Sequence, residues 1–189
     1  AMQRRHVDLP SAIGDEGWGL GWSLQTWSGE RVIGHGGATI GQTAYLSIAP
    51  ERQLAAALLT NSHSSRALYE ELFARIFGAL RNIDMPKSPE PPSQPAEVDP
   101  SAYVGTYERF QLRSEIEARN GDLWLTESPT GEMADLWPDQ PPRKLIPADE
   151  KLFFIHNAVT DGHDELHFLD WVDGRPRYLY TGRVARRID

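Results

Sequence analysis

The first hundred residues change their hydrophobic period once. From Trp18 to Thr60 apolar and polar positions alternate at period two, and from Leu68 to Leu80 the apolar positions recur every three or four residues. The alternation predicts a strand through Trp18, Leu20, Trp22 and Leu24, and a turn at Ser28-Gly29-Glu30. A second strand starts over Arg31–Gly34, and two more run over Thr43–Ala49 and Gln53–Thr60, joined by Pro50-Glu51-Arg52. Leu54-Ala55-Ala56-Ala57-Leu58-Leu59 is apolar at both parities, which predicts a central strand buried on both faces. The helical stripe is Leu68, Leu72, Ile76 and Leu80, widened by Phe73 and Phe77. Ser64 or Ser65 stands where a cap belongs, and the helix should end near Arg81. After Pro100 only period two remains. Strands are expected around 103–108, 112–119, 122–127, 133–137, 143–147, 151–156, 165–172 and 176–184, with Asn120-Gly121, Asp161-Gly162 and Asp173-Gly174 as hairpin signals. Many short strands at regular spacing predict a sandwich or an up-and-down barrel. The fold class expected is α+β: an antiparallel sheet with a C-terminal helix, followed by an antiparallel β-barrel.

Proline placement supplies the boundary. Six of the 14 prolines fall between Pro86 and Pro100, a composition that favours an extended, semi-rigid spacer over helix or central strand. The expected domains are 1–81 and 99–189, with a linker over 82–98. Asp99-Pro100 adds a cap and a first-turn proline, so one helical turn is expected there.

Charge and composition narrow the function. A net charge of −8 argues against a nucleic-acid partner, which requires a basic face. The 189 residues contain no cysteine, which removes disulfides, thiol chemistry and cysteine-ligated metal. No apolar run is long enough to span a bilayer. Arg4 and Arg5 are not followed by an apolar stretch, so the start does not read as a signal peptide, and Ala1 ahead of Met2 reads as a tag remnant.

The segment with chemical content is Gly34-His35-Gly36-Gly37-Ala38-Thr39-Ile40-Gly41-Gln42-Thr43-Ala44-Tyr45. Glycines beside a histidine on a strand suggest close approach of something to the backbone, although a glycine-rich hairpin with an incidental histidine has the same look. The ordered series Trp18-Gly-Leu-Gly-Trp22, His35-Gly-Gly37, Ala44 to Arg52, Leu58-Leu-Thr-Asn61 and a following helix resembles the C-terminal part of the class C beta-lactamase-like serine hydrolases. These include penicillin-binding proteins, D-aminopeptidases and related esterases. The resemblance covers about 15–81 and implies a partial beta-lactamase/transpeptidase-like domain. His35-Gly36-Gly37 matches the family's Lys-Thr-Gly or His-x-Gly triplet.

That resemblance implies His35, Gly37 and Ala38 as catalytic positions. His35 would give a polar group toward substrate, Gly37 clearance, and the Ala38 N–H one of two oxyanion donors. Gly36, Thr39 and Asn61 are the implied substrate-binding positions. The family nucleophile in Ser-x-x-Lys is missing, because Asp84, Pro141 and Ala148 stand three residues before Lys87, Lys144 and Lys151. Tyr-x-Asn is missing as well. The expectation is therefore the back part of a longer enzyme, inactive alone, whose parent acts on beta-lactam, D-amino-acid peptide, ester or peptidoglycan-like substrates. The parent would be exported or periplasmic. No cofactor and no metal are called for.

Val98-Asp-Pro-Ser-Ala-Tyr-Val-Gly-Thr-Tyr107 resembles the opening of the lipocalin-like barrel that follows the catalytic domain in many such hydrolases. Two rival readings are a barrel that holds a small apolar ligand and a purely structural or oligomerising piece. His163-Asp-Glu-Leu-His167 departs from the zincin order and reads as a solvated strand face. Tyr178, Tyr180 and Trp171 read as core aromatics, and Arg183, Arg186 and Arg187 as a solvated terminus. An exposed sheet edge and apolar face in the first domain predict a homo-oligomer.

Overall fold

The computed structural model describes residues 1–12, 16–39, 41–135 and 140–189. It divides into two compact units: Ala1–Pro89 with Ala158–Thr160, and Glu90–Asn157 with Asp161–Asp189.

Unit 1 is a six-stranded antiparallel meander in chain order: β1 (Val7–Asp8), β2 (Gly17–Trp18), β3 (Ser23–Trp27), β4 (Glu30–Thr39), β5 (Gln42–Ala49) and β6 (Leu54–Thr60). Ser28 and Gly29 both take positive φ, the type I′ geometry that matches the twist of the flanking strands. One helix, α1 (Arg66–Arg81), packs on the sheet. Its buried centre is Phe73 and Phe77, both fully buried, while Leu68 and Leu80 of the expected stripe lie exposed at its margins. Trp27 meets Phe77 edge-on at 5.0 Å, and Tyr45 stacks on Tyr69 at 4.2 Å, so aromatics carry much of the seam between sheet and helix. The helix ends on Asn82 in the left-handed region. Its N–H donates to Gly78 O, and the fully buried Ile83 donates to Phe77 O.

Two strand expectations are revised. The single strand through Trp18 and Leu24 is a hairpin: Gly19 N–H donates to Trp22 O at 2.8 Å, Gly21 sits at positive φ, and Trp18 pairs with Ser23. Period two continued through the turn because the turn residues Leu20 and Trp22 are themselves apolar. β6 is not central but an edge: among the described residues it pairs only with β5. Leu54, Ala56 and Leu58 turn toward α1, while Ala55, Ala57 and Leu59 face outward, Leu59 at 79% exposure.

Unit 2 is a closed antiparallel barrel of eight strands: β7 (Gly105–Arg109), β8 (Leu112–Arg119), β9 (Asp122–Pro129), β10 (Arg143–Pro147), β11 (Leu152–Asn157), β12 (Gly162–Val172), β13 (Arg175–Tyr180) and β14 (Val184–Arg187). Each strand pairs with its sequence neighbour, and β14 returns to β7 through Arg186↔Glu108 and Arg187↔Tyr107. Gly182, at positive φ, breaks the run expected over 176–184 into β13 and β14. The strand expected over 133–137 begins as a single 3-10 turn, Gly131–Met133, and its last two residues lie outside the described ones. The interior is filled by its own side chains, among them Tyr103, Tyr107, Phe153, Leu166, Phe168 and Leu179. Asp99 caps the single turn Pro100–Ala102 by accepting Ser101 N–H at 3.0 Å.

The proline-rich stretch is laid down on both units in turn. Ser88 Oγ donates to Glu70 Oε1 at 2.6 Å in unit 1, and Ala96 N–H donates to Pro147 O at 3.0 Å in unit 2.

The fold class is corrected. The chain is not α+β with a C-terminal helix. Strands hold 48% of the described residues, a single α-helix interrupts them mid-chain, and the chain closes on β14. Apart from two single 3-10 turns, the described part of the barrel half runs as strands, whose period-two alternation offers no stripe on which a second helix could bury a face. Among the described residues no helix is long and apolar enough to cross a membrane.

Candidate active-site strand

β4 is longer than the neighbour on its β3 side. Glu30–Gly34 pair with β3, whose ladder ends at Ser23↔Gly34, while Ile33–Thr39 pair with β5. Both hairpins fix which way each backbone group points. In an antiparallel ladder the residues that close a two-residue loop exchange hydrogen bonds, and the pattern then alternates. The Trp27↔Glu30 closure aims residues 30, 32 and 34 at β3, and the Thr39↔Gln42 closure aims 35, 37 and 39 at β5. The two agree. Gly36 and Ala38 therefore direct their N–H and C=O groups away from β5, along the edge that β3 leaves uncovered.

The glycines there are not all asked for by the fold. A Cβ on Gly34 would stand 2.5 Å from Leu46 O, so that position is glycine for packing. A Cβ on Gly36 would come no closer than 3.8 Å, to Ala44 O, and one on Gly37 would meet nothing within 4 Å. None of the three needs a left-handed backbone. Their bareness leaves a strip of backbone open to an outside molecule.

His35 is exposed and lies edge-on to Trp18, ring centroids 5.7 Å apart. Beneath the strip, Tyr45 pairs with Gly36 and stacks on Tyr69, whose phenol is held above its ordinary pKa chiefly by burial. The structure thus brings His35, Gly36, Gly37 and Ala38 onto one strand segment, with Thr39 next to them, exposed, at the end of the ladder. Ile40 lies outside the described residues. Asn61 is not brought to that edge: it follows β6, two strands away on the other side, roughly 10 Å by strand spacing.

A polar cluster, of which the sequence suggests only Ser65 as a helix cap, fixes the far end of the β4–β5 hairpin. His63 Nε2 accepts the Gly41 N–H at 2.8 Å. Thr43 Oγ1 donates to Ser62 O at 2.8 Å and shares a hydrogen bond with Thr60 Oγ1 at 2.7 Å and another with Ser65 Oγ. Ser65 thus occupies the N-cap position without capping: its hydroxyl serves the hairpin. The signal was the density of hydroxyls and imidazole in Thr60-Asn-Ser-His-Ser-Ser65. Among the described residues no cluster of three or more histidine, aspartate or glutamate side chains is arranged to hold a metal.

The beta-lactamase family model matches residues 4–81. Penicillin-binding protein 4 of Amycolatopsis lactamdurans is 41% identical over 93 residues, which is 49% of this chain and 24% of that protein. Residues 4–81 are beta-lactamase-like. Two solved structures carry the likeness further along the chain. SurE with D-Leu aligns over 97% of the chain at TM-score 0.68 and 26% identity, and SurE alone over 97% at 0.66 and 28%. The chain spans about a quarter of the curated relative and 42% and 41% of the two SurE chains. The beta-lactamase-like segment contains β1–β6 and α1, and with them the open strip of β4.

Proposed function

We propose that this chain supplies the substrate-lining strand of a serine acyl-transfer hydrolase. The open edge at Gly36 and Ala38 carries the proposal. An extended substrate pairs with it as an added strand, and the absence of side chains at Gly36 and Gly37 leaves room for it. The Ala38 N–H is one oxyanion donor, aimed where negative charge gathers on the attacked carbonyl oxygen. His35 presents its imidazole at the start of the strip, beside Trp18, as a polar group toward substrate and the proton network of the nucleophile. Thr39 and Asn61 are flanking positions for substrate contact, Asn61 the more remote.

The substrate class follows from the relatives: beta-lactams, peptides containing D-amino acids, or esters. A penicillin-binding protein and a SurE structure holding D-Leu support it. The nucleophile is not in this sequence, which has neither Ser-x-x-Lys nor Tyr-x-Asn. An oxyanion donor without a nucleophile has no tetrahedral intermediate to stabilise, so the chain alone turns nothing over.

Two measurements separate the parts of this reading. Incubation with a chromogenic cephalosporin and a p-nitrophenyl ester should give no turnover above buffer; turnover that survives His35→Ala refutes the account of the chemistry. Joined in one polypeptide to a nucleophile-bearing segment from a penicillin-binding relative, the chain should acylate. Ala38→Pro, which removes the N–H, should then lower kcat by about 100-fold or more. Unchanged kcat would refute the oxyanion role.

The outward face of β5–β6, with Leu59 largely exposed, also supports association of the first domain with a second copy. Light scattering at high concentration should report a dimer or larger; a strictly monomeric mass refutes it.

A further inference from the structure

The sequence reads Arg183, Arg186 and Arg187 as a solvated tail, but Arg187 is built into the barrel. Its side chain is 9% exposed. The guanidinium donates to Ala102 O at 3.3 Å and Val104 O at 2.5 Å, pairs with Asp189 at 3.0 Å, and lies over the Tyr107 ring. Gly105 gives it space, since a Cβ there would stand 2.7 Å from the Arg187 Nη2. Beside it opens a hollow of about 200 Å³ that Arg175, Arg177 and Arg186 also line, with the buried Pro176 in its wall.

Two of these four guanidiniums are already held. Arg187 has Asp189, and Arg177 has Asp170 at 3.1 Å and the Tyr178 ring. Arg175 and Arg186 have no ion pair or hydrogen-bond partner among the described residues. Glu108, directly across from Arg186, is taken by Arg113 at 2.6 Å. The lining carries four positive side chains and one carboxylate, Asp189, a surplus of three. Residues 99–189 as a whole, the hollow included, hold 17 acidic against 11 basic groups, net −6. A concentrated positive hollow in an acidic domain selects small anions. A long polyanion would be repelled by the surface around it, whereas a compact one sits inside the local field.

We propose that this hollow binds a small multivalent oxyanion of the phosphate class. A lone carboxylate saturates one guanidinium fork; a hollow lined by two unpaired arginines beside two held ones suits an anion with three or four oxygens around one centre. This site is independent of the acyl-transfer reading.

The test is calorimetric titration of the full chain with inorganic phosphate at low ionic strength, against chloride at matched ionic strength. A second arm uses phosphoserine. One saturating event is expected that chloride does not reproduce. Arg175→Gln with Arg186→Gln should weaken it at least tenfold, and Arg183→Gln, outside the hollow, should leave it unchanged. Phosphoserine binding tighter than phosphate identifies a monoester as the ligand; equal or weaker binding identifies the free anion. If the double variant does not fold, each single variant is measured, and either should weaken binding at least threefold. A response that grows without saturating, is copied by chloride, or survives the substitutions overturns the proposal.

Discussion

Gly34→Ala and Gly36→Ala are the same change two residues apart on β4, and they should move stability in opposite directions. At position 34 the new methyl would stand 2.5 Å from Leu46 O and 3.3 Å from Ser23 Oγ. The first neighbour is backbone and cannot rotate aside, so β4 and β5 must separate locally. Such overpacking costs about 1–3 kcal/mol, offset by about 0.4–1 kcal/mol from the stiffer unfolded chain. The net loss is about 1–2 kcal/mol, a drop in Tm of roughly 5–15 °C for a unit of this size. At position 36 the nearest atom is 3.8 Å away, an ordinary contact, so only the unfolded-state term remains. Gly36→Ala should raise Tm by roughly 2–8 °C. Scanning calorimetry of the full chain measures both, and hydrogen exchange at β4 and β5 amides assigns the change to unit 1. Equal destabilisation by both variants would refute the argument that Gly36 is bare for an outside molecule rather than for the fold. So would a Gly34→Ala protein as stable as the parent.

Phe77→Ala empties the fully buried contact with Trp27 and should cost unit 1 about 3–5 kcal/mol in urea unfolding. The barrel transition should not move; a common shift of both would contradict separate cores. Tyr103 and Tyr107 have pKa values pushed up to about 12, chiefly by burial. Because their folded values lie above the unfolded value near 10, their contribution to stability is complete below about pH 10 and is lost as pH rises through about 12. Ultraviolet titration should find these two phenols ionising last; ionisation near pH 10 while the barrel is intact would refute the burial. Trp18→Ala should remove the ring current on His35, seen as a shift of its imidazole proton resonances, at a stability cost of at most about 1.5 kcal/mol. Unmoved resonances would dissociate the pair.

The parts legible in the sequence were those set by local chemistry. Ser28-Gly29, Asn120-Gly121 and Asp173-Gly174 announced their turns because two successive positive φ angles demand such residues. β8, from Leu112 to Arg119, followed from alternation bounded by turns. What failed depends on neighbours the pattern does not name. Leu54–Leu59 is apolar on both faces whether it lies mid-sheet or at an edge, and only the strand order decides. The stripe of α1 was misjudged at its ends because Leu68 and Leu80 overhang the sheet while Phe73 and Phe77 meet it. At the site, the His35-Gly-Gly37 triplet stood out by composition, but the open edge depends on β3 being shorter than β4, a relation between two lengths. His63 was missed because its partner is a backbone N–H, which no side-chain pattern reveals.

Closure of the barrel by β14 against β7 has a consequence for its synthesis. The Arg187↔Tyr107 pairing joins positions 187 − 107 = 80 residues apart. While the ribosome is still adding β8 to β13, the growing sheet has an unpaired strand at each end and a half-wrapped apolar lining. The domain therefore reaches its closed form only once β14 itself has been delivered. A message cut short near Thr181 would release a curled ribbon with two sticky rims instead of a slightly smaller barrel.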